Sequence, residues 1–307
     1  MARRKKGTPV HGWLILDKDA GMTSTQALGA VKRLFDAQKA GHAGTLDPLA
    51  TGILPLAFGE ATKTVSFVVD GAKAYRFQVR WGAETDTDDS EGKVVRTSPE
   101  RPRRAAIESV LPRFIGEILQ TPPQYSAIKI DGNRAYDLAR EGGEVPLEPR
   151  PVVIDALTIV DMPDQESTIF EAHCGKGTYV RALARDIGRL LGCLGYVTAL
   201  RRTDVGPYGE EEALSLAELR TIAESEGPEA LLSRLLPIET ALDDVPALAV
   251  SPSDAATLAR GQSVLIRGRD APIVSGLIYA TVRGRIIALG EVEKGAIHPT
   301  RVFNLGS

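Results

Sequence analysis

Along the first eighty residues the spacing of apolar positions changes twice, and each change marks an element. GWLILDKD (12–19) is a short apolar run ending in charge, which predicts a strand. TSTQ (23–26) is a capping box ahead of Leu28, Val31, Leu34 and Phe35 at helical spacing, which predicts an amphipathic helix. AYRFQVRW then alternates, with Tyr75, Phe77, Val79 and Trp81 on one face and Arg76, Gln78 and Arg80 on the other, as a half-buried antiparallel strand requires. Further helices are predicted around 104–114, 134–140 and 180–191, with VVIDALTIV and TIFEAHC as strands between the last two. This order predicts an α+β fold, a mixed and largely antiparallel sheet with flanking helices.

Later the pattern shifts again. Residues 209–244 contain two short helix-like runs split at Gly227-Pro228, and LDDVPALAVSPSD adds two prolines within a few residues. A boundary near residue 247 follows. Beyond it SVLIRG, IVSGLIYATV, RIIALGEV and TRVFNL are short strands separated by Gly, Arg and Asp, the pattern of a small β-barrel-like module. The expected organisation is therefore a basic flexible tail at 1–10, a main domain at 11–246 and the module at 247–307. Neither an internal repeat nor a low-complexity tract is visible.

Composition adds exclusions. At 43% hydrophobic and 25% charged residues, the 307-residue chain has an ordinary globular composition. No apolar stretch reaches the roughly 18 residues of a membrane span, and the basic opening has no apolar region behind it, so a cytoplasmic protein is expected. Cys174 and Cys193 are too far apart for a paired metal or redox motif and read as buried reduced thiols. The formal charge of −3 argues against nucleic acid only until its distribution is considered. Ten acidic side chains against Arg220 and Arg234 give residues 209–244 a net −8, which leaves +5 for the rest. A basic working surface is thus permitted but not identified.

Three tempting motifs fail. GHAGTLD and CGKGTYV lack the spacing of a phosphate loop. DTDDSEG begins like a calcium loop at Asp86 and Asp88, but Glu91 stands where the sharp turn needs Gly, and Thr97 stands at the closing position. The histidines His11, His42, His173 and His298 are scattered. Neither a cofactor nor a metal site is expected. The informative segment is GHAGTLDPLATGILPL (41–56), where a Gly-rich loop presents one carboxylate, Asp47, before Pro48 and an apolar wall. Such a loop lets a bulky ligand approach the backbone. Asp47 in this setting reads either as a nucleophile or base, or as an ordinary turn aspartate before proline.

GTLDPLATG resembles the catalytic motif of the TruB family of pseudouridine synthases nearly letter for letter. Four further segments agree in order: DKDAGMTS (17–24), KAYRF (73–77), CGKGTYVRALARDIG (174–188) and LRRTDVGPY (200–208). In the first of these Asp19 stands where the family usually has Pro. The resemblance implies the pseudouridine synthase fold, followed at 247–307 by a PUA-like RNA-binding domain.

It also implies a reaction. The family breaks the uracil C1'–N1 bond, turns the base in the site and rejoins it through C5, without cofactor or metal. The expected substrate is uridine 55 in the T-arm loop of tRNA. Asp47 is implied as the catalytic carboxylate and Arg181 as its partner. Tyr75 is implied to stack on the flipped uracil and to take the C5 proton, because a base inside a folded RNA loop must be extruded to be reached. Tyr179 and Leu200 are implied as further walls, and His42 as the residue that fills the gap left in the RNA stack. Lys18, Lys63, Arg201 and Arg202 are candidate phosphate contacts. The expected partner is the tRNA T stem-loop, bound by a monomer without guide RNA or membrane. The rival within the superfamily is the synthase subunit of an RNA-guided ribonucleoprotein, which usually carries long basic extensions. A glycosidase would want a second marked carboxylate, and a non-catalytic RNA-binding or RNA-folding module would be compatible with losing Asp47.

Overall fold

The alternation read from the sequence becomes one large sheet. In a computed structural model, the structure describes residues 7–126, 129–130, 133–134, 147–266 and 275–306. The large sheet is built from β1 (Gly12–Lys18), β2 (Ala40–His42), β3 (Thr51–Phe58), β4 (Lys73–Trp81), β5 (Gly116–Gln120), β6 (Arg150–Asp161), β7 (Ser167–Cys174), β8 (Gly195–Val205) and β9 (Leu214–Ser215). Their spatial order is β9-β1-β3-β8-β4-β7-β6-β5, with β2 paired to β3. The β1–β9 and β3–β8 pairs are parallel and the others antiparallel, so the sheet is mixed and largely antiparallel as expected. The parallel β3–β8 contact is the join that matters for function, because it brings the end of the Asp47 loop beside Arg201 and Arg202.

Four α-helices among the described residues precede β8. Helix α1 (Ser24–Leu34) starts at the expected capping box: Thr23 accepts from the Gln26 amide, and the Gln26 side chain caps Thr23 in return. Helix α2 (Val65–Asp70) is short and feeds β4. The predicted helix near residue 104 is α3 (Arg104–Val110) followed by a 3₁₀ turn. The predicted helix around 134–140 lies outside the described residues except for Arg134, which sits in a two-residue strand. Helix α4 (Val180–Leu190) crosses the sheet and buries nearly its whole length, including Arg181 and Arg185. The core under it joins Phe77, Val79, Trp81, Phe170, Leu183 and Ile187, with Phe77 and Phe170 stacked at 5.4 Å.

The acidic segment forms helices α5 (Leu216–Ser225) and α6 (Pro228–Leu232), with the break at Gly227-Pro228 as read. The chain enters a second sheet at β10 (Ala247–Ala249), which continues with helix α7 (Pro252–Ala259) and strands β11 (Val264–Leu265), β12 (Gly276–Val282), β13 (Arg285–Glu293) and β14 (Ala296–Val302). Their order is β10-β12-β13-β14-β11. Helix α7 was not read from the sequence, because its apolar content is two small runs between prolines and glycines. The second sheet is not an independent body. Ile286, Leu289 and Phe303 share one apolar cluster with Trp13, Ile53 and Ala57 of the large sheet.

Residues 7–10, expected within a flexible tail, are tied down instead. The Thr8 amide donates to Asp36 O, the Gln38 amide donates to Thr8 O, and the Gln38 side chain donates to Gly7 O. These bonds, two of them between backbone groups, hold the segment against the turn after α1.

Candidate active site

Asp47 is presented by a loop that is braced from three sides. The Ser24 hydroxyl accepts from the Leu46 amide at 2.8 Å and donates to Leu46 O at 3.0 Å, so the start of α1 clamps the residue before the aspartate. The Gly21 amide donates to Pro48 O at 2.8 Å, and Ala50 N closes a turn onto Asp47 O. Two glycines permit the close approach to β8. Gly44 has φ +84°, and Gly52 has φ +96° with a would-be Cβ 2.1 Å from Arg202 O. No side chain fits there. The glycines of GTLDPLATG are thus set by backbone packing and leave the carboxylate itself 40% exposed.

That carboxylate opens on a cavity of about 270 Å³ lined by Gly44, Asp47, Lys73, Tyr75, Tyr179, Arg181, Leu200 and Arg202, among others. Arg181, at the start of α4, points its Nη2 at Asp47 Oδ2 from 2.9 Å. The guanidinium is itself fixed: it donates to Thr87 O and Tyr125 O at 2.9 Å and lies 3.4 Å from Asp89 Oδ2. A fixed, nearly buried guanidinium therefore orients a part-exposed carboxylate at the mouth of the cavity. Tyr75 and Tyr179 supply aromatic walls, and burial pushes both phenols up. The Tyr179 backbone is held by the Gln120 amide, which both accepts from and donates to it.

The structure brings together Asp47, Tyr75, Tyr179, Arg181, Leu200 and Arg202 around the cavity, and leaves His42, Lys18, Lys63 and Arg201 outside its lining. His42 ends β2 outside the cavity lining, with its buried Nδ1 unpartnered among the described residues. Burial and the nearby Arg202 charge hold its imidazole below the usual range. Two of the candidate phosphate contacts require correction. Lys18 is 1% exposed, and its ammonium donates to Asp19 O and Met22 O at 2.8 Å. Arg202 is also 1% exposed and donates to Ile53 O and Gly44 O. Both are internal braces, out of reach of a phosphate. Arg201 and Arg202 are neighbours on one strand, so their side chains leave opposite faces. Arg201 emerges part-exposed and already pairs with Asp17 and Glu210. Lys63 is part-exposed too, with its ammonium on Glu60 and on Val302 O of the second sheet at 2.6 Å each.

Comparison with known proteins fits this arrangement. Residues 32–180 match the model of "TruB family pseudouridylate synthase (N terminal domain)", and residues 181–243 that of "tRNA pseudouridylate synthase B C-terminal domain". A protein of Rhodopseudomonas palustris called "tRNA pseudouridine synthase B" is 62% identical over 98% of this chain and 83% of its own length. One of Brucella anthropi with the same name is 50% identical over the full length of both. The chain belongs to the TruB family. Among solved structures, one described as "Crystal Structure of a Cbf5-Nop10-Gar1 Complex" superposes with a TM-score of 0.74 at 24% identity, over 99% of this chain and 91% of that one, which shows the shared fold.

In this TruB chain three lining or bracing residues escaped the sequence reading. Lys73 opens KAYRF, yet its buried ammonium bonds to Val69 O and Gly71 O, capping α2 beside the cavity. Burial pushes that ammonium down. Asp89 lies in the segment dismissed as a failed calcium loop, and it turns out to hold Arg181. Among the described residues no cluster of metal-ligating side chains occurs and no helix is long and apolar enough to cross a membrane. Gln120 carried no signal, since its role depends on a strand edge meeting a helix start.

Proposed function

We propose that the tRNA uridine which this isomerase converts to pseudouridine is position 55 of the T-arm loop, and that Asp47 is the carboxylate that carries the conversion. The observation behind this reading is the 2.9 Å pair between Arg181 and Asp47 at the mouth of a cavity with aromatic and aliphatic walls. A uridine in a folded loop has to leave its stack before a carboxylate can reach its sugar or ring. On this reading Tyr75 stacks on the extruded uracil, Tyr179 and Leu200 close the pocket, and His42 takes the vacated place in the RNA stack. His42 is half-buried at the end of β2, outside the cavity lining, which leaves it beside the pocket rather than in it.

Once the base lies in the pocket, Asp47 acts on the sugar or ring as nucleophile or base and the C1'–N1 bond opens. Uracil turns against the Tyr75 ring and reattaches through C5, after which the ionised Tyr75 oxygen receives the C5 proton and N1 is protonated. Arg181 keeps the carboxylate charged and oriented throughout. Residues 247–307 form a PUA-like RNA-binding domain on this reading, and Lys63 and Arg201 lie at the RNA edge. Both cations are part-exposed, although each already has a protein partner. The enzyme works on tRNA as a monomer without a guide RNA.

Mass spectrometry of a tRNA transcript before and after incubation, with pseudouridine labelled chemically, tests the reading. One labelled site in the T loop is expected with the native chain, and none with Asp47→Asn, which keeps shape and RNA binding but loses charge and nucleophilicity. Label at another position, or substantial turnover by Asp47→Asn, would sink it.

A further inference from the structure

Arg202 is an expensive residue to bury. It is 1% exposed and among the largest fully buried side chains, and no ion pair to it occurs among the described residues. An unpaired internal cation is costly unless something nearby uses its charge. Its Nε donates to Ile53 O at 2.8 Å and its Nη2 to Gly44 O at 3.0 Å, while across the strand pair its register partner is Tyr75, whose phenol lines the same cavity. Holding two carbonyls needs only a neutral donor. The charge is left acting on the Tyr75 phenol, with His42, Lys73 and Lys18 also near it.

The fold sets this meeting up. Arg202 on β8 and Tyr75 on β4 are direct register partners in an antiparallel pair, so their side chains leave the same face, and both line the cavity. Gly44 and Gly52 clear the space for Arg202, since a Cβ on Gly44 would lie 3.2 Å from its Nη1. The groups facing Tyr75 are Arg202 on β8, Cys174 on β7, Asp47 on the catalytic loop and Lys73 on its own strand, with Arg181 and Tyr179 from the start of α4 across the cavity. Burial raises the phenol, and Cys174 and Asp47 add to that, while Arg202 opposes it.

We infer that Arg202 is a positioning residue that acts through Tyr75, keeping the phenol oxygen as a hydrogen-bond acceptor ready to receive the uracil C5 proton. The inference rests on the role given to Tyr75 above. After reattachment, C5 carries both the new bond to C1' and its hydrogen. The C5–H bond breaks, the proton passes to the Tyr75 oxygen, and the electron pair forms C5=C6. The C6=N1 π pair moves onto N1, which takes a proton from water or from the same phenol. Arg202 stays cationic throughout and lowers the energy of the ionised oxygen that accepts the proton.

The test uses the full chain with Arg202→Met, Arg202→Lys, Tyr75→Phe and the Met/Phe double variant. Single-turnover product formation on saturating tRNA is followed between pH 6 and 9, and ¹³C-tyrosine NMR reads the Tyr75 titration in the free protein. Arg202→Met is expected to slow product formation tenfold or more at neutral pH and to raise the Tyr75 midpoint and the rate profile together by about one unit or more. Arg202→Lys should restore part of both, and adding Met to Tyr75→Phe should cost less than about threefold beyond Phe alone. An unchanged Tyr75 midpoint and pH profile in Arg202→Met, or a full additive loss on the Phe background, overturns the inference. Should Arg202→Met fail to fold, 3-fluorotyrosine at position 75 with Arg202 intact lowers the phenol pKa. The rate profile must then move down with it, and an unmoved profile is equally fatal. Tyr75→Phe reacting at the native rate would instead remove the proton-acceptor reading of Tyr75 itself.

Discussion

Arg181 and Arg202 bring the same guanidinium into one cavity wall, yet their surroundings give them different work. Arg181 meets carboxylates, Asp47 at 2.9 Å and Asp89 at 3.4 Å, whereas Arg202 meets carbonyls and a phenol. Its fork is planar, and its two Nη groups reach different partners, a geometry that a lysine cannot copy. Arg181→Met should therefore lower the single-turnover rate by about 10²–10³-fold, the scale of losing one preorganised charged donor. Arg181→Lys should fall between Met and the native chain, with tRNA binding close to native in both. Equal rates for the three proteins on saturating tRNA would mean that Asp47 is oriented by another group.

At the level of the element, α4 places an arginine every four residues and so builds a row along one face. Arg181, Arg185 and Arg189 meet Asp89, Asp88 and Glu84 in turn, all from the segment after β4. The Arg185–Asp88 pair is nearly buried at 2.9 Å, and breaking such a pair by removing one member costs about 3–5 kcal/mol. Arg185→Leu should lose stability on that scale in urea unfolding. The Arg185→Leu/Asp88→Asn double variant should lose clearly less than the two singles added together, and simple additivity would mean that the pair is not coupled. Burial pushes the Asp88 carboxyl up to about 6, with Arg185 working against it. A carboxyl raised in the folded state binds its proton more tightly there than in the unfolded chain. Its contribution therefore favours folding below the unfolded value and fades as pH rises through about 6. Between pH 4 and 6, Asp88→Asn should flatten the native fall in stability, as read by urea midpoints at several pH values. Parallel curves for the two proteins would refute this.

For the whole molecule, the seam between the two sheets decides how separable they are. Ile286, Leu289 and Phe303 are buried against Trp13, Ile53 and Ala57, and the seam is closed by Lys63 on Val302 O, Arg301 on Lys63 O and the Asn304 amide on Glu60. Removing residues 247–307 would bare that apolar face, so the truncated chain should melt lower and aggregate. Leu289→Ala and Phe303→Ala should each destabilise the full chain by about 2–5 kcal/mol in thermal or urea unfolding. If both variants unfold like the native chain, the seam carries no folding energy and the module can be treated as independent.

The sequence by itself determined the elements whose pattern is local. The capping box at Thr23, the alternating face of β4, the break at Gly227-Pro228 and the run of strands after residue 247 need only neighbouring residues to be read. Letter-for-letter motifs carried the family, and with it the proposal that Asp47, Tyr75 and Arg181 form the site. What the sequence could not carry was direction. Arg201 and Arg202 look alike as two adjacent cations, and only the parallel pairing of β8 with β3 turns one outward and the other inward. Lys18 likewise looks like a surface lysine until the Asp47 loop closes over it. The segment at 84–89 reads as a spoiled calcium loop until α4 packs beside it and its carboxylates find three arginines far along the chain. Burial and pairing of a charge depend on which distant strands meet, and local spacing contains no record of that.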